Sequence, residues 1–142
     1  MRRGPAGLWW STAVTSASPR VLLVDDEPGF RAQLREVLTD YGVVVAAEAG
    51  SGLEGVEVAR RLRPDVVLMD LRMPGMDGIT ATRLLAEDLP LCPVVILSAY
   101  DDPALTSKAH EAGAYTYLVK GCPARTIVDV VEKAAAERGW HG

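Results

Sequence analysis

Short runs of β-branched and aliphatic residues recur along the chain at Val21–Val24, Val43–Ala47, Val66–Met69, Val94–Leu97 and Tyr115–Val119. Between them, apolar positions repeat at helical spacing. Phe30, Leu34, Val37, Leu38 and Tyr41 make one stripe, and Ala124, Ile127, Val128 and Val131 make another. Periods near 2 and near 3.6 residues predict strands alternating with amphipathic helices. The punctuation agrees. Pro28 and Pro103 suit first-turn positions behind Glu27 and Asp102, which read as acidic caps. Ser51 with Glu54 reads as a capping box, Asp77 as the cap of a further helix, and Gly113 as a helix end.

Strand and helix alternate five times between residues 20 and 138. That alternation predicts an α/β fold, a doubly wound five-stranded parallel sheet with helices on both faces. The nearly continuous apolar runs at Val66–Met69 and Val94–Leu97 fit central strands buried on both sides. Right-handed crossovers leave few topologies, and the commonest is the flavodoxin-like strand order 2-1-3-4-5. Its switch point between strands 1 and 3 opens a crevice at the carboxyl ends of the strands, where a ligand is expected.

The chain has 142 residues, 49% of them hydrophobic and 24% charged, which suits one globular domain and excludes disorder along its whole length. No apolar run is long enough to span a membrane. The net charge is −4, and Arg2 and Arg3 are the only charges before residue 20. An acidic body of this kind argues against direct nucleic-acid binding. Residues 1–19 read as a flexible extension, with Trp9 and Trp10 its one oddity, and residues 139–142 as a short tail. The extension's apolar stretch is too short and too interrupted for an export signal, so a cytoplasmic protein is expected. Cys92 and Cys122 have no metal or redox spacing and read as buried free thiols; His110 and His141 read as surface residues.

The predicted crevice gathers particular chemistry. Strand 1 ends in Asp25, Asp26 and Glu27, strand 3 in Asp70, strand 4 in Ser98 and strand 5 in Lys120. Two carboxylates about 5 Å apart repel by roughly 3 kcal/mol at an effective dielectric near 20. A hard divalent cation would relieve that repulsion, and a set of oxygen ligands favours Mg²⁺. Singly, each residue has a plainer role open to it. Asp26 or Glu27 could cap a helix, Asp70 could open a turn, and Ser98 and Lys120 could sit in solvated loops. Independent capping does not predict acid, acid, hydroxyl and lysine at strand ends that converge.

The segments Val-Leu-Leu-Val-Asp25-Asp26-Glu27-Pro28, Val-Val-Leu-Met-Asp70-Leu-Arg-Met-Pro74-Gly75-Met76-Asp77-Gly78, Val-Val-Ile-Leu-Ser98-Ala99 and Gly113-Ala-Tyr-Thr-Tyr117-Leu-Val-Lys120 resemble, in order and spacing, the receiver domains of two-component response regulators. The resemblance covers about residues 20–138, and the last segment is similar to receivers of the nitrate-response type. It implies that Asp70 accepts a phosphoryl group from a sensor histidine kinase or phosphotransfer protein. Asp26 would ligate Mg²⁺ directly and Asp25 through water, with Asp70 and the Arg72 carbonyl completing the protein ligands. Lys120 would neutralise phosphoryl charge, and Ser98 would donate its hydroxyl. Movement of Ser98 would let the switch aromatic, Tyr117, turn inward and remodel the face built by helix 4, strand 5 and helix 5. Tyr115, on the same side of an ideal pleat, competes for that role. Such a domain is a switch that catalyses at most its own phosphorylation and dephosphorylation.

Two features depart from the family pattern. Gly121 follows Lys120 where the family often has a cis proline, so a trans bond or a strained one is expected. Arg72 and Tyr100 stand where the family varies and sets the lifetime of the phosphoryl group, and together they suggest hindered hydrolysis. A haloacid-dehalogenase-type phosphatase would need Asp-x-Asp after strand 1, where this chain has Asp25 and Glu27, and a flavodoxin-like cofactor site would need a phosphate loop there. The serious rival is a receiver-like interaction module that works without phosphorylation. Downstream action is expected through a partner protein or a missing DNA-binding output domain, with a homodimer through the switching face left open.

Overall fold

The computed structural model describes residues 18–139. Five strands, β1 (Arg20–Val24), β2 (Val44–Ala49), β3 (Val66–Met69), β4 (Val94–Ser98) and β5 (Thr116–Val119), alternate with five helices. The helices are α1 (Pro28–Asp40), α2 (Gly52–Leu62), α3 (Gly78–Asp88), α4 (Pro103–Glu111) and α5 (Ala124–Gly139). All strand pairs are parallel, in the order β2-β1-β3-β4-β5. The expected fold class and strand order therefore hold. β2 runs to Ala49, beyond its expected end at Ala47, and its register against β1 slips by one residue opposite Val21 and Leu22.

Alternation along the strands builds two cores. Val21, Leu23, Leu68, Val95 and Leu97 face α1 and α5, where Leu34, Leu38, Ile127, Val128 and Val131 meet them. Leu22, Val24, Val67, Met69 and Ile96 face α2, α3 and α4 through Val56, Ala59, Ala81, Leu85 and Ala109. β3 and β4 are buried along their whole length, as expected of central strands. The α1 stripe is narrower than its spacing suggests, since Tyr41 is 44% exposed at the helix end with the Arg125 guanidinium over its ring.

The caps depart from expectation at one helix. Asp102 accepts from the Ala104 N–H, Asp77 from the Thr80 N–H and Ser51 from the Glu54 N–H. Glu54 returns its carboxylate to the Gly50 N–H, one residue before the usual partner. Glu27 makes no side-chain cap on α1. The Glu27 N–H instead donates to Asp25 Oδ1 at 2.9 Å, so the acid that orders this helix entry is the one directly after β1. Gly113 takes a positive φ of 105° past the end of α4, as read from the sequence.

Tyr115 is a correction. It sits in a bend before β5 and packs on the α1/α5 side, whereas Tyr117 packs on the α2–α4 side. The pleat rule does not reach a residue outside the strand, so the two tyrosines do not share a face. Cys92 and Cys122 are free of disulfides and half-buried rather than buried, and His110 is exposed. Residues 1–17, His141 and most of the expected tail lie outside the described residues. Among the described residues, no helix is long and apolar enough to cross a membrane.

Candidate functional site

Because the strands are parallel, every carboxyl end opens onto the same rim. β1 runs directly into Asp25, β3 into Asp70 and β5 into Lys120, while Ser98 is the last residue of β4. Asp25 and Asp70 are buried, Ser98 is fully buried, and Asp26 lies further toward solvent. One carboxylate oxygen from each of Asp25, Asp26 and Asp70 falls within 4.8 Å of the others. The strand ends thus bring together the acids that the sequence nominated.

Lys120 ties the cluster. Its Nζ donates to Asp25 Oδ2 at 2.8 Å and lies 3.5 Å from Asp70 Oδ1. This contact joins residues 95 positions apart in sequence. Burial alone would lower the Lys120 pKa, but the hydrogen bond to Asp25 and the charges of Asp70, Asp25 and Glu27 outweigh it and raise the pKa above the usual lysine range. Asp70 shows the opposite stress. Burial, reinforced by the charge on Asp25, pushes its carboxyl up to about 6 against relief from Lys120 and the Leu71 N–H. A carboxylate destabilised this way gains from a hard cation beside it. The all-oxygen donor set and its excess negative charge fit Mg²⁺.

The surrounding chain fixes these carboxylates. Asp70 Oδ1 accepts the Leu71 N–H at 2.9 Å, and the Asp70 N–H donates to the Val24 carbonyl. The Arg31 guanidinium donates to the Asp25 carbonyl and, at 3.0 Å, to Glu48 Oε1 on β2. Partial burial would raise the Glu48 carboxyl, but Arg35 and Arg31 hold it below the usual range. Gly78 closes the far side of the loop, since a Cβ there would come within 2.1 Å of the Asp70 carbonyl oxygen. Arg31 and Gly78 received no role in the sequence reading, and Phe30 received only a place in a helical stripe. Phe30 proves to lie with its ring centroid 4.2 Å from Lys120 Nζ.

The remaining nominated residues form a second group around Tyr100. The Ser98 hydroxyl accepts the Tyr100 N–H at 3.0 Å, and the Tyr117 hydroxyl donates to the Tyr100 carbonyl. Arg72 places its guanidinium over the Tyr100 ring. The Lys120–Gly121 bond is trans, with Gly121 at a φ of 99° that favours glycine.

Comparison with known proteins decides the family. A family model described as the response regulator receiver domain matches residues 21–132. The chain belongs to this receiver family. The receiver is 38% identical over 127 residues to the transcriptional regulatory protein PdtaR of Mycobacterium tuberculosis, covering 89% of this chain and 62% of that protein. It thus spans less than two thirds of that relative's length. A solved receiver domain of the response regulator NarL from Mycobacterium tuberculosis superposes with a TM-score of 0.80 at 36% identity, covering 84% of this chain and 98% of that one. A CheY solved in a complex with CheX, BeF₃ and Mg²⁺ from Borrelia burgdorferi gives a TM-score of 0.76 at 29% identity, covering 80% and 87%. Receiver domains are signalling modules rather than classical enzymes. They bind Mg²⁺ at an acidic pocket and interact with histidine kinases or phosphotransfer proteins. The Asp25/Asp26/Asp70 pocket fits both Mg²⁺ and phosphorylation.

Proposed function

We propose that this receiver is a phosphorylation-dependent switch, which takes a phosphoryl group from a sensor histidine kinase or phosphotransfer protein onto Asp70. The observation that carries the reading is the placement of Lys120 between Asp25 and Asp70 at the rim where the three aspartates converge. Asp26 and Asp70 would hold Mg²⁺ directly, Asp25 through water, and the Arg72 backbone carbonyl would complete the protein ligands. Asp25 suits the indirect place because both its oxygens already accept hydrogen bonds, from Glu27 and Lys120. When bound, Mg²⁺ supplies positive charge against the transferring phosphoryl oxygens.

The chain's own groups do the rest. An Asp70 carboxylate oxygen attacks phosphorus, the bond from phosphorus to the donor nitrogen breaks, and an aspartyl phosphate forms. Lys120 neutralises charge on the phosphoryl oxygens, as it already does for Asp25 and Asp70. The Ser98 hydroxyl, which accepts from Tyr100, keeps its own proton available to donate to a phosphoryl oxygen. Its movement would pull on the Tyr100 backbone, to which the Tyr117 hydroxyl is bonded. Tyr117 is therefore the switch residue, carrying the change to the α4–β5–α5 face.

In this reading residues 20–138 form the receiver unit, flanked by the 1–19 extension and a short tail, and the protein acts in the cytoplasm. Output passes through a partner protein or a DNA-binding domain beyond this segment, without direct nucleic-acid contact by the receiver, and a homodimer through the switching face is an available assembly. The CheY that was solved with BeF₃ and Mg²⁺ supports the chemistry by likeness. A phosphorylation-independent interaction module is the rival, and the complete set of Asp25, Asp26, Asp70, Ser98 and Lys120 disfavours it. Treatment with Mg²⁺ and phosphoramidate followed by intact-mass measurement separates the two. A single phosphoryl adduct on the wild type that is lost in Asp70→Asn is expected. No adduct, or an undiminished one in the variant, overturns the proposal.

A further inference from the structure

We propose that Phe30 is a positioning residue for phosphoryl transfer, its aromatic face holding the Lys120 ammonium against Asp25 and Asp70; this inference rests on the phosphoacceptor reading above. An ammonium has three donors. Two sides of Lys120 Nζ are occupied, by Asp25 Oδ2 at 2.8 Å and by Asp70 Oδ1 at 3.5 Å. Among the described residues its hydrogen bonding supplies no third acceptor, and the Phe30 ring stands on the ammonium with its centroid at 4.2 Å. That separation lies well inside the range over which a ring quadrupole attracts a cation, and the attraction grows as water is removed.

Water is scarce here. The Lys120 side chain is 16% exposed, and Phe30 is half-buried, packed on the α1/α5 core. The ring thus covers one side of a mostly shielded ammonium. A lysine has a flexible stem, and on an acidic rim Glu27 is a competing destination for its charge. The ring biases it toward the two carboxylates without adding a negative charge of its own. An acidic residue in the same place would also hold the lysine, but it would repel the incoming phosphoryl group.

Replacing Phe30 with phenylalanines carrying one, two and three ring fluorines withdraws the quadrupole stepwise while keeping the shape nearly constant. The readout is the rate of aspartyl phosphate formation from phosphoramidate at saturating Mg²⁺. In that step an Asp70 oxygen bonds to phosphorus, the phosphorus–nitrogen bond breaks, and ammonia leaves. The logarithm of the rate is expected to fall steadily with fluorine count, reaching about a tenfold loss at three fluorines, with the melting temperature unchanged. Phe30→Leu, which keeps bulk without a quadrupole, should fall at least as far. A rate that stays flat across the fluorinated series, in protein that melts normally, overturns the positioning role and leaves the phosphoacceptor reading intact. A wild-type protein that forms no adduct overturns that reading and the role of Phe30 with it.

Discussion

Arg72 holds its guanidinium carbon 4.8 Å from the centroid of the Tyr100 ring. The pair joins the loop after the candidate phosphoacceptor to the loop after Ser98. An attacking water has to approach an aspartyl phosphate in line with the bond being broken, and in the proposed switch the Arg72–Tyr100 pair would obstruct that approach. Arg72→Ala and Tyr100→Ala should each shorten the phosphoryl half-life several-fold, measured by loss of the adduct mass after donor removal. The double variant should add little to either single one, because the pair acts together. A wild-type half-life as short as that of a free acyl phosphate would sink this assignment.

Asp70 makes folding depend on pH in an unusual direction for a carboxylate. Its pKa rises from 3.8 to about 6 in the native protein, so between about pH 4 and pH 6 the folded state holds a proton that the unfolded chain releases. Without metal, the charged form therefore destabilises the fold. The effect is complete above pH 6, fades as the pH falls toward 4, and is worth about 3 kcal/mol at neutral pH. Asp70→Asn should raise the urea midpoint at pH 7 in the presence of chelator and lose most of that advantage at pH 4. An equal advantage at both pH values would contradict the assignment.

Divalent ions should offset the same penalty. Adding Mg²⁺ to the wild-type protein at pH 7 should raise the melting temperature, and chelation should return it to the starting value. Asp26→Asn should weaken Mg²⁺ binding at least tenfold by calorimetry, since Asp26 is the one acid of the three with no hydrogen bond spoken for among the described residues. Unchanged affinity in that variant would remove Asp26 from the ligand set.

Gly78 packs its backbone against the chain at Asp70 and Leu71. An added Cβ would meet the Asp70 carbonyl oxygen at 2.1 Å, and because that contact is backbone it cannot be relieved by a rotamer change. Gly78→Ala should cost roughly 3 kcal/mol and slow adduct formation. Gly29→Ala is the matched control. It lies in the first turn of α1 with nothing within 4 Å of its Cβ position, so it should be neutral or slightly stabilising.

Most of the architecture was legible because each level of the sequence repeats the same message. The apolar runs of β3 and β4 are continuous, Pro28 and Pro103 open their helices, and Asp77 and Asp102 cap as their positions require. The composition of the rim was legible too, because a parallel sheet delivers all its strand ends to one edge. What failed was local geometry. Tyr115 lies in a bend, outside the alternation that would have paired it with Tyr117, and Glu27 makes no side-chain cap on α1. Phe30 and Gly78 gained their roles from contacts with residues distant or out of phase in sequence, Lys120 and the Asp70 carbonyl. No periodicity reports such contacts, since they exist only once the sheet has assembled.

The bond from Lys120 to Asp25 gives the resting protein a counter-ion that cannot diffuse away. A tethered charge holds part of the acidic edge in register whatever the concentration of free cations, so swings in cellular magnesium should leave the shape of the off state largely alone. In the proposed switch, the domain would then answer to its phosphodonor rather than to the metal that assists it.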